Sequence, residues 1–179
     1  MTPAQVCFWL VKHAATSYVL DVPVRRAFEA RKARAYADAR ARPLLNVGAG
    51  TGRSALFGET LYGDVNIDVA APKGPSARDR VVYGDAADLS EYPNGCFGAV
   101  LASHVLEHLE DPERAVSEWL RVVGGDARAL FVVTPSWWAP HTWLHPGHRY
   151  YFTDGRGGLD GGRMVRLRAP VPVPAALLR

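Results

Sequence analysis

The stretch that decides the fold reads LLNVGAGTG and occupies residues 44–52. A mostly apolar tetrapeptide is followed by three glycines at alternate positions, Gly48, Gly50 and Gly52. This pattern predicts a buried strand, a sharp turn and the start of a helix. Because such a turn lets the backbone approach a ligand and presents free N–H groups, we expect a nucleotide-like cofactor here. A tight turn with a purely structural role is the alternative.

Short apolar runs and helical segments alternate on the C-terminal side of this loop. Strands are predicted at residues 44–47, 65–67, 81–83, 99–102 and 130–133. Before the last strand a helix is predicted, with Asp111 as its cap, Pro112 in its first turn and Gly124 after its end. Strands connected in this way run parallel. The predicted fold class is α/β, a Rossmann-like, mostly parallel and doubly wound sheet with helices on both faces.

Two helices are predicted before the glycine loop. Residues 2–18 carry apolar side chains at helical spacing, and residues 24–41 are rich in Ala, Arg and Lys. We expect the first helix to pack on the core of its own domain, with a membrane surface or a partner as the alternative.

The C-terminal part offers little for the sheet. After the strand at 130–133 only residues 150–153 and 164–167 remain as strand candidates, so the C-terminal edge is expected to be shortened. The predicted organisation is an N-terminal helical segment at 1–42, one cofactor-binding domain at 43–168 and a Pro-rich tail at 169–179. A homo-oligomer is expected to use the N-terminal helix or the shortened sheet edge.

Composition limits the classes of protein to which this chain can belong. With 179 residues, of which 48% are hydrophobic and 22% charged, the chain can bury one core, which excludes disorder as its main state. No apolar run approaches the roughly 20 residues of a membrane helix, and no secretory signal is visible. The two cysteines, Cys7 and Cys96, form neither a disulfide framework nor a metal knuckle, so we expect a cytoplasmic protein.

The net charge of +3 is unevenly distributed. Residues 1–42 carry a net +5, residues 43–148 a net −6 and residues 149–179 a net +4. Basic flanks can meet nucleic acid or another anionic partner. In residues 25–42, however, opposite charges stand four apart, as on a solvated helix face, so a nucleic-acid partner is the less favoured interpretation.

Two acids follow the next two predicted strands. Asp68 closes the second strand, twenty positions after Gly48, where a carboxylate can accept hydrogen bonds from both ribose hydroxyls of a nucleoside. Asp85 follows the third strand and is expected at the same edge, within reach of an adenine amino group. NAD is disfavoured because Arg53 stands where the dinucleotide fingerprint needs Gly or Ala. A P-loop is excluded because no Gly-Lys-Ser/Thr follows the turn.

Four sequence features together resemble the class I S-adenosylmethionine-dependent methyltransferases of the small-molecule type. They are NVGAGTG at 46–52, Asp68, GDA at 84–86 and ASHVLEHLEDP at 102–112. The resemblance implies S-adenosyl-L-methionine (SAM) as the cofactor, with its methionine part near the glycine loop, its ribose on Asp68, and its adenine beside Asp85. The cofactor-binding residues that it implies are Asn46, Gly48, Ala49, Gly50, Gly52, Asp68, Asp85, Ala86, Ser103 and His104.

The sequence departs from the family pattern at three places. Asn46 replaces the usual acid before the loop, which keeps a hydrogen-bond acceptor but removes a charge. Gly98 replaces the usual Asp at the start of the fourth strand. The third departure is the short C-terminal end.

Histidines supply the candidate catalytic groups, because a methyl acceptor that loses a proton needs a base. His104 and His148 are the candidates, whereas Glu107 and His108 stand at the family's common helix start, where this pair is usually structural. The segment at 135–152 is dense in Trp, Tyr and His. Within it, residues 137–151 are expected to form the wall and partial lid on the acceptor side, with core packing as the alternative. No metal site is predicted, since the spacing of the metal-capable His104, Glu107, His108 and His148 lacks a second acid.

The favoured function is methyl transfer from SAM to a small-molecule, glycan or lipid-linked acceptor. A non-catalytic SAM-binding or nucleoside-binding partner subunit is one alternative, because of the short C-terminus. An RNA methyltransferase is another, because of the basic flanks.

Overall fold

The computed structural model describes most of the chain between Val22 and Leu167. The described residues are 22–50, 62–71, 81–137, 145–154 and 163–167, with the single residues 2, 5, 6, 8, 9, 12, 139, 142, 143, 156, 157 and 159. Gly52, Arg53 and the segment predicted to form the helix after the glycine loop lie outside them. Across the described residues, no helix has the length and apolar character needed to cross a membrane.

The elements lie close to their predicted positions. In chain order they are α1 (Val22–Ala39), β1 (Leu44–Val47), β2 (Val65–Asp68), β3 (Val82–Tyr83), β4 (Ala99–Ser103), α2 (Pro112–Val122), β5 (Leu130–Val133), β6 (Tyr150–Phe152) and β7 (Met164–Arg166). Short 3-10 turns occupy Leu106–His108 and Ala127–Ala129. The cap of α2 is confirmed, because the Asp111 side chain accepts a hydrogen bond from the Arg114 N–H at 2.9 Å.

The main sheet has five strands in the order β3-β2-β1-β4-β5, and each neighbouring pair is parallel. The predicted Rossmann-like fold is therefore confirmed. The strand order reverses beside β1, because the chain returns from β3 at one edge and places β4 on the other side of β1. The switch point therefore lies between the neighbouring strands β1 and β4. In open α/β sheets, ligands bind at the carboxyl ends of the strands beside such a switch point.

Different helices cover the two faces of the sheet. On one face, Ala30, Ala33 and Ala37 of α1 pack with a group of alternate strand residues, Leu44, Ala99, Leu101 and Phe131. On the other face, Ala115, Trp119 and Val122 of α2 pack in a larger cluster that includes Leu45, Val100, Leu130 and Val132. The alternation follows from the two-residue period of a strand.

The small side chains of α1 explain one departure from the family pattern. A Cβ added at Gly98 would lie 2.8 Å from the Cα of Ala37 and 3.0 Å from the backbone oxygen of Arg42. Backbone atoms cannot yield as a flexible side chain would. The close approach of α1 therefore leaves no room for an aspartate at position 98.

The predicted C-terminal strands form a hairpin of their own. β6 and β7 pair antiparallel as a separate two-stranded sheet. Among the described residues, the main sheet ends at β5, which agrees with the shortened edge expected from the sequence. At that edge the Arg156 guanidinium donates a hydrogen bond to the Leu130 carbonyl at 3.2 Å.

The first predicted helix is described at only six positions, of which five are helical. Val6, Phe8 and Trp9 are 41%, 72% and 50% exposed. The expectation that this helix packs on the core is wrong for these three side chains. The sheet face over β4 and β5 is already occupied by α1.

Candidate functional site

A cavity lies at the carboxyl edge of the main sheet, beside the switch point. The loops that follow β1, β2, β3 and β4 all contribute to its wall. The residues lining it are Gly48, Asp68, Val69, Gly84, Asp85, Ala86, His104, Val105, His108 and Leu109. The fold therefore brings together five residues that were predicted to bind the cofactor and that come from the ends of four different strands. They are Gly48, Asp68, Asp85, Ala86 and His104.

The glycine loop needs a residue without a side chain at position 48. Gly48 and Gly50 have φ angles of 62° and 68°, in the left-handed region. A Cβ on Gly48 would lie 2.2 Å from Cγ2 of Val105, whereas a Cβ on Gly50 would have no heavy atom of the described residues within 4 Å. The loop is tied to β2 through the Ala49 N–H, which donates to the Ile67 carbonyl at 3.1 Å.

Asp68 both shapes the glycine loop and faces the cavity. Its Oδ2 accepts a hydrogen bond from the Gly50 N–H at 2.7 Å, and its Oδ1 accepts one from the Ala70 N–H at 2.7 Å. A carboxylate offers about four acceptor positions, so further hydrogen bonds from a ligand remain available. Asp68 therefore holds its own position by backbone contacts while presenting charge to the cavity.

The loop after β3 is anchored from below. The indole N–H of Trp119 donates to the carbonyl of Ala86 at 2.8 Å, and the Asp85 carboxylate accepts from the Ala87 N–H at 2.8 Å. Gly84 packs directly on Ile67, since an added Cβ would lie 2.9 Å from the Cβ of that residue. The position of the Asp85 carboxylate at the cavity thus depends on the contact between this loop and α2.

The other predicted cofactor-binding residues that the structure describes do not line the cavity. Asn46 is buried in β1, where its amide donates to the Asn66 side chain at 3.2 Å. Ser103 is buried at the end of β4. Ala49 and Gly50 lie within the glycine loop beside lining residues, and Gly52 lies outside the described residues.

His104 is held in an unusual backbone conformation. Its φ of 59° is left-handed, and its N–H donates to the Val133 carbonyl at 2.8 Å, directly after β4. Non-glycine residues in this region are uncommon, and such strain concentrates at ligand sites. The Nδ1 of His104 lies 3.3 Å from Oε1 of Glu107, but the two groups are not aligned for a hydrogen bond.

The second catalytic candidate, His148, does not line the cavity. It is 7% exposed, and its Nδ1–H donates to the Thr142 carbonyl at 3.0 Å. Burial lowers the pKa of His148 to about 4, so the ring is neutral at pH 7. Its surroundings fit packing beneath the loop better than contact with an acceptor.

The predicted lid is described at residues 137, 139, 142, 143 and 145–151. None of these described residues lines the cavity. Trp143 is 47% exposed, and its ring lies against that of Tyr151 with centroids 4.6 Å apart. The lid therefore remains a prediction.

Five lining residues were not among the predicted cofactor contacts. Gly84 belongs to the GDA motif, and Val69 directly follows Asp68, so the sequence carried a signal for both. Val105, His108 and Leu109 are brought to the cavity by the 3-10 turn after β4. No periodicity in the sequence marks that turn.

Comparisons with known proteins find similarity to methyltransferases. Residues 45–131 match the pattern of a protein family described as "Methyltransferase domain". The chain is also 32% identical over 104 residues to ajmaline N-methyltransferase of Rauvolfia serpentina. That alignment covers 51% of this chain and 35% of the plant protein, so the chain spans about a third of that relative's length.

Proposed function

We propose that this chain, whose residues 45–131 match a family described as "Methyltransferase domain", binds SAM in the cavity and transfers its methyl group to a small-molecule acceptor. The observation that supports this most directly is the convergence of Gly48, Asp68 and Asp85 on one cavity at the switch point. The open space beside Gly50 is compatible with a ligand that lies against the loop backbone.

In this proposal, each loop has one task in holding SAM. Asp68 accepts hydrogen bonds from the ribose hydroxyls, and Asp85 accepts one from the adenine amino group. The glycine loop lets the methionine part approach the backbone closely, because Gly48 carries no side chain. SAM itself supplies an activated methyl group, so the protein mainly has to orient the two substrates and exclude water.

A small molecule is the proposed class of acceptor. The relative from Rauvolfia serpentina is named for methylation of ajmaline. The family match covers residues 45–131, which include the residues proposed to bind SAM. Glycan and lipid-linked acceptors remain within the proposal. Formation of S-adenosylhomocysteine, together with a mass increase in an added acceptor, would support catalysis. SAM binding without turnover on any acceptor would instead favour the alternative that the chain is a non-catalytic, SAM-binding partner subunit.

Titration calorimetry with SAM tests the donor site directly. We expect the wild-type chain to bind SAM and to melt at a higher temperature in its presence, because the ligand binds only the native state. NAD should cause no shift. Absence of a SAM shift at millimolar concentration would contradict the proposed function.

The variant Asp68→Ala should bind SAM about ten- to a hundredfold more weakly, since hydrogen bonds to a charged acceptor contribute about 1.5–3 kcal/mol. The matched control is Asp88→Ala, which removes an exposed acid from the loop after β3 that does not line the cavity. Wild-type affinity in Asp68→Ala, or an equal loss in Asp88→Ala, would show that the ribose assignment is wrong.

We propose that His104 stands beside the bound donor, because it lines the cavity in a left-handed conformation at the end of β4. Addition of SAM should shift the imidazole NMR signals of His104, assigned with the variant His104→Gln, and leave those of His13 unchanged. Unshifted His104 signals at saturating SAM would remove it from the site.

A further inference from the structure

Three histidines form a compact cluster behind the cavity. His108 lies on the 3-10 turn after β4, and His145 and His148 lie in the loop before β6. One ring nitrogen from each comes within 4.8 Å of the others. The ring centroids of His145 and His148 are 4.5 Å apart, and those of His108 and His148 are 4.8 Å apart. Zn–N bonds are about 2.0–2.1 Å long, so small rotations of the rings would bring the three nitrogen atoms close enough to bind one metal ion together.

Backbone contacts hold two of the rings in the form that binds metals. The Nδ1–H of His108 donates to the Gly147 carbonyl at 3.0 Å, and that of His148 donates to the Thr142 carbonyl at 3.0 Å. Since a carbonyl only accepts, Nδ1 carries the proton and Nε2 of each neutral ring keeps a free lone pair. Metal-binding histidines usually donate their second ring N–H in this way.

His145 is held by the same loop. Its Nδ1 accepts a hydrogen bond from the Gly147 N–H at 3.1 Å. A cation bound at this nitrogen would replace the N–H as its partner without moving a proton. A Cβ on Gly147 would lie 3.2 Å from atoms of both His108 and His145, so the loop is closely packed against the two rings.

A buried carboxylate beside the cluster lacks a hydrogen-bond donor among the described residues, although Nδ1 of His104 lies 3.3 Å from its Oε1. Glu107 is 0% exposed, and neither of its carboxylate oxygens has a hydrogen-bond donor among the described residues. Glu107 directly precedes His108, and its backbone carbonyl accepts a hydrogen bond from the N–H of Arg149, the residue after His148, at 2.6 Å, so it lies near the cluster. Burial of a carboxylate without a hydrogen-bond donor is unfavourable. A cation among the histidines would remove most of that cost.

We infer that His108, His145 and His148 bind a divalent transition-metal ion of the zinc type, with Glu107 supplying a compensating negative charge. Imidazole nitrogen is a preferred ligand of Zn²⁺, and three histidines leave a fourth position open. His108 also lines the cavity, which puts the ion at the edge of the proposed methyl-transfer site. The sequence predicted no metal, because the group His104, Glu107, His108 and His148 lacks a second acid, and His145 was not part of that group.

Metal binding to the full-length, tag-free chain tests the inference. After chelator treatment and dialysis, the chain should bind one equivalent of Zn²⁺ in calorimetry. Bound Co²⁺ should show the visible absorption of a low-symmetry site. His108→Ala and His145→Ala each replace an exposed side chain and should weaken Zn²⁺ binding about tenfold or more. His13→Ala, which changes a histidine far away along the sequence, should leave the affinity unchanged.

Glu107→Gln separates charge compensation from ligation. It keeps the shape of the side chain and all three histidines, so the metal-free variant should melt no lower than the metal-free wild type, while Zn²⁺ affinity falls about tenfold. The thermal shift caused by SAM should persist in His145→Ala, so failure of the metal site is distinguishable from failure of the proposed function. Absence of stoichiometric binding, or equal affinity in His145→Ala and wild type, would overturn the inference.

Discussion

Replacing Trp119 by alanine is expected to lower the free energy of unfolding by about 3–5 kcal/mol. The side chain is fully buried between α2 and the sheet, in the same cluster as Val100 and Val132. Its removal leaves a cavity and also leaves the Ala86 carbonyl without the indole N–H donor. Total stabilities of single domains are about 5–15 kcal/mol, so the variant should be close to unfolding. Urea unfolding at constant m-value is the measurement.

Two further variants separate the terms of that loss. Trp119→Phe keeps most of the apolar area but removes the N–H, so it should cost about 1–3 kcal/mol. Trp143→Ala removes a tryptophan that is 47% exposed and should cost less than Trp119→Ala. Equal losses in Trp119→Ala and Trp143→Ala would contradict the core position of Trp119 and would favour a packing role for the segment at 135–152.

The second large effect is expected for Gly48→Ala. A left-handed backbone costs a residue with a Cβ about 1–2 kcal/mol. The new methyl group would also lie 2.2 Å from Cγ2 of the buried Val105, and overpacking of this kind costs about 1–3 kcal/mol. Because Gly48 lines the cavity, the displaced loop should also lose SAM affinity. Thermal melts with and without SAM measure both effects.

Gly50→Ala is the matched control for the collision. Gly50 has nearly the same φ, but an added Cβ meets no heavy atom of the described residues within 4 Å, so this variant should show only the backbone cost. The double variant Gly48→Ala/Val105→Ala should recover part of the stability lost in Gly48→Ala, because it removes the Cγ2 methyl group of Val105 with which the new Cβ would clash. Equal stability of Gly48→Ala and Gly50→Ala would show that the contact with Val105 is not tight.

Strand positions and sheet type were largely predictable from the sequence. β1 and β5 begin and end at their predicted residues, and the cap at Asp111 was read correctly. Both faces of the sheet are covered by helices, so its strands are continuous apolar runs that contrast with the polar helix surfaces. The same parallel arrangement brings Asp68 and Asp85 to one edge, because the ends of parallel strands meet there.

Predictions of what packs against a given side chain were less successful. The spacing of residues 2–18 predicts a helix with an apolar face but does not indicate what packs against that face. In the structure, Phe8 is 72% exposed. A histidine can act as a base, an acid or a metal ligand, but His148 is buried in the loop before β6 and does not line the cavity. Its hydrogen bond to Thr142 and its low pKa arise from that burial.

The sequence by itself determined the order of strands and helices, the glycine loop and the two acids of the candidate donor site, because these follow from local periodicity and from spacing within one parallel sheet. Only the tertiary structure decided that Gly98 faces the backbone of α1, that Glu107 is buried with no hydrogen-bond donor among the described residues, and that His145 joins His108 and His148. The reason is physical. These contacts join segments far apart in the chain, and their distances depend on how a 3-10 turn and a separate hairpin pack, which no local pattern encodes.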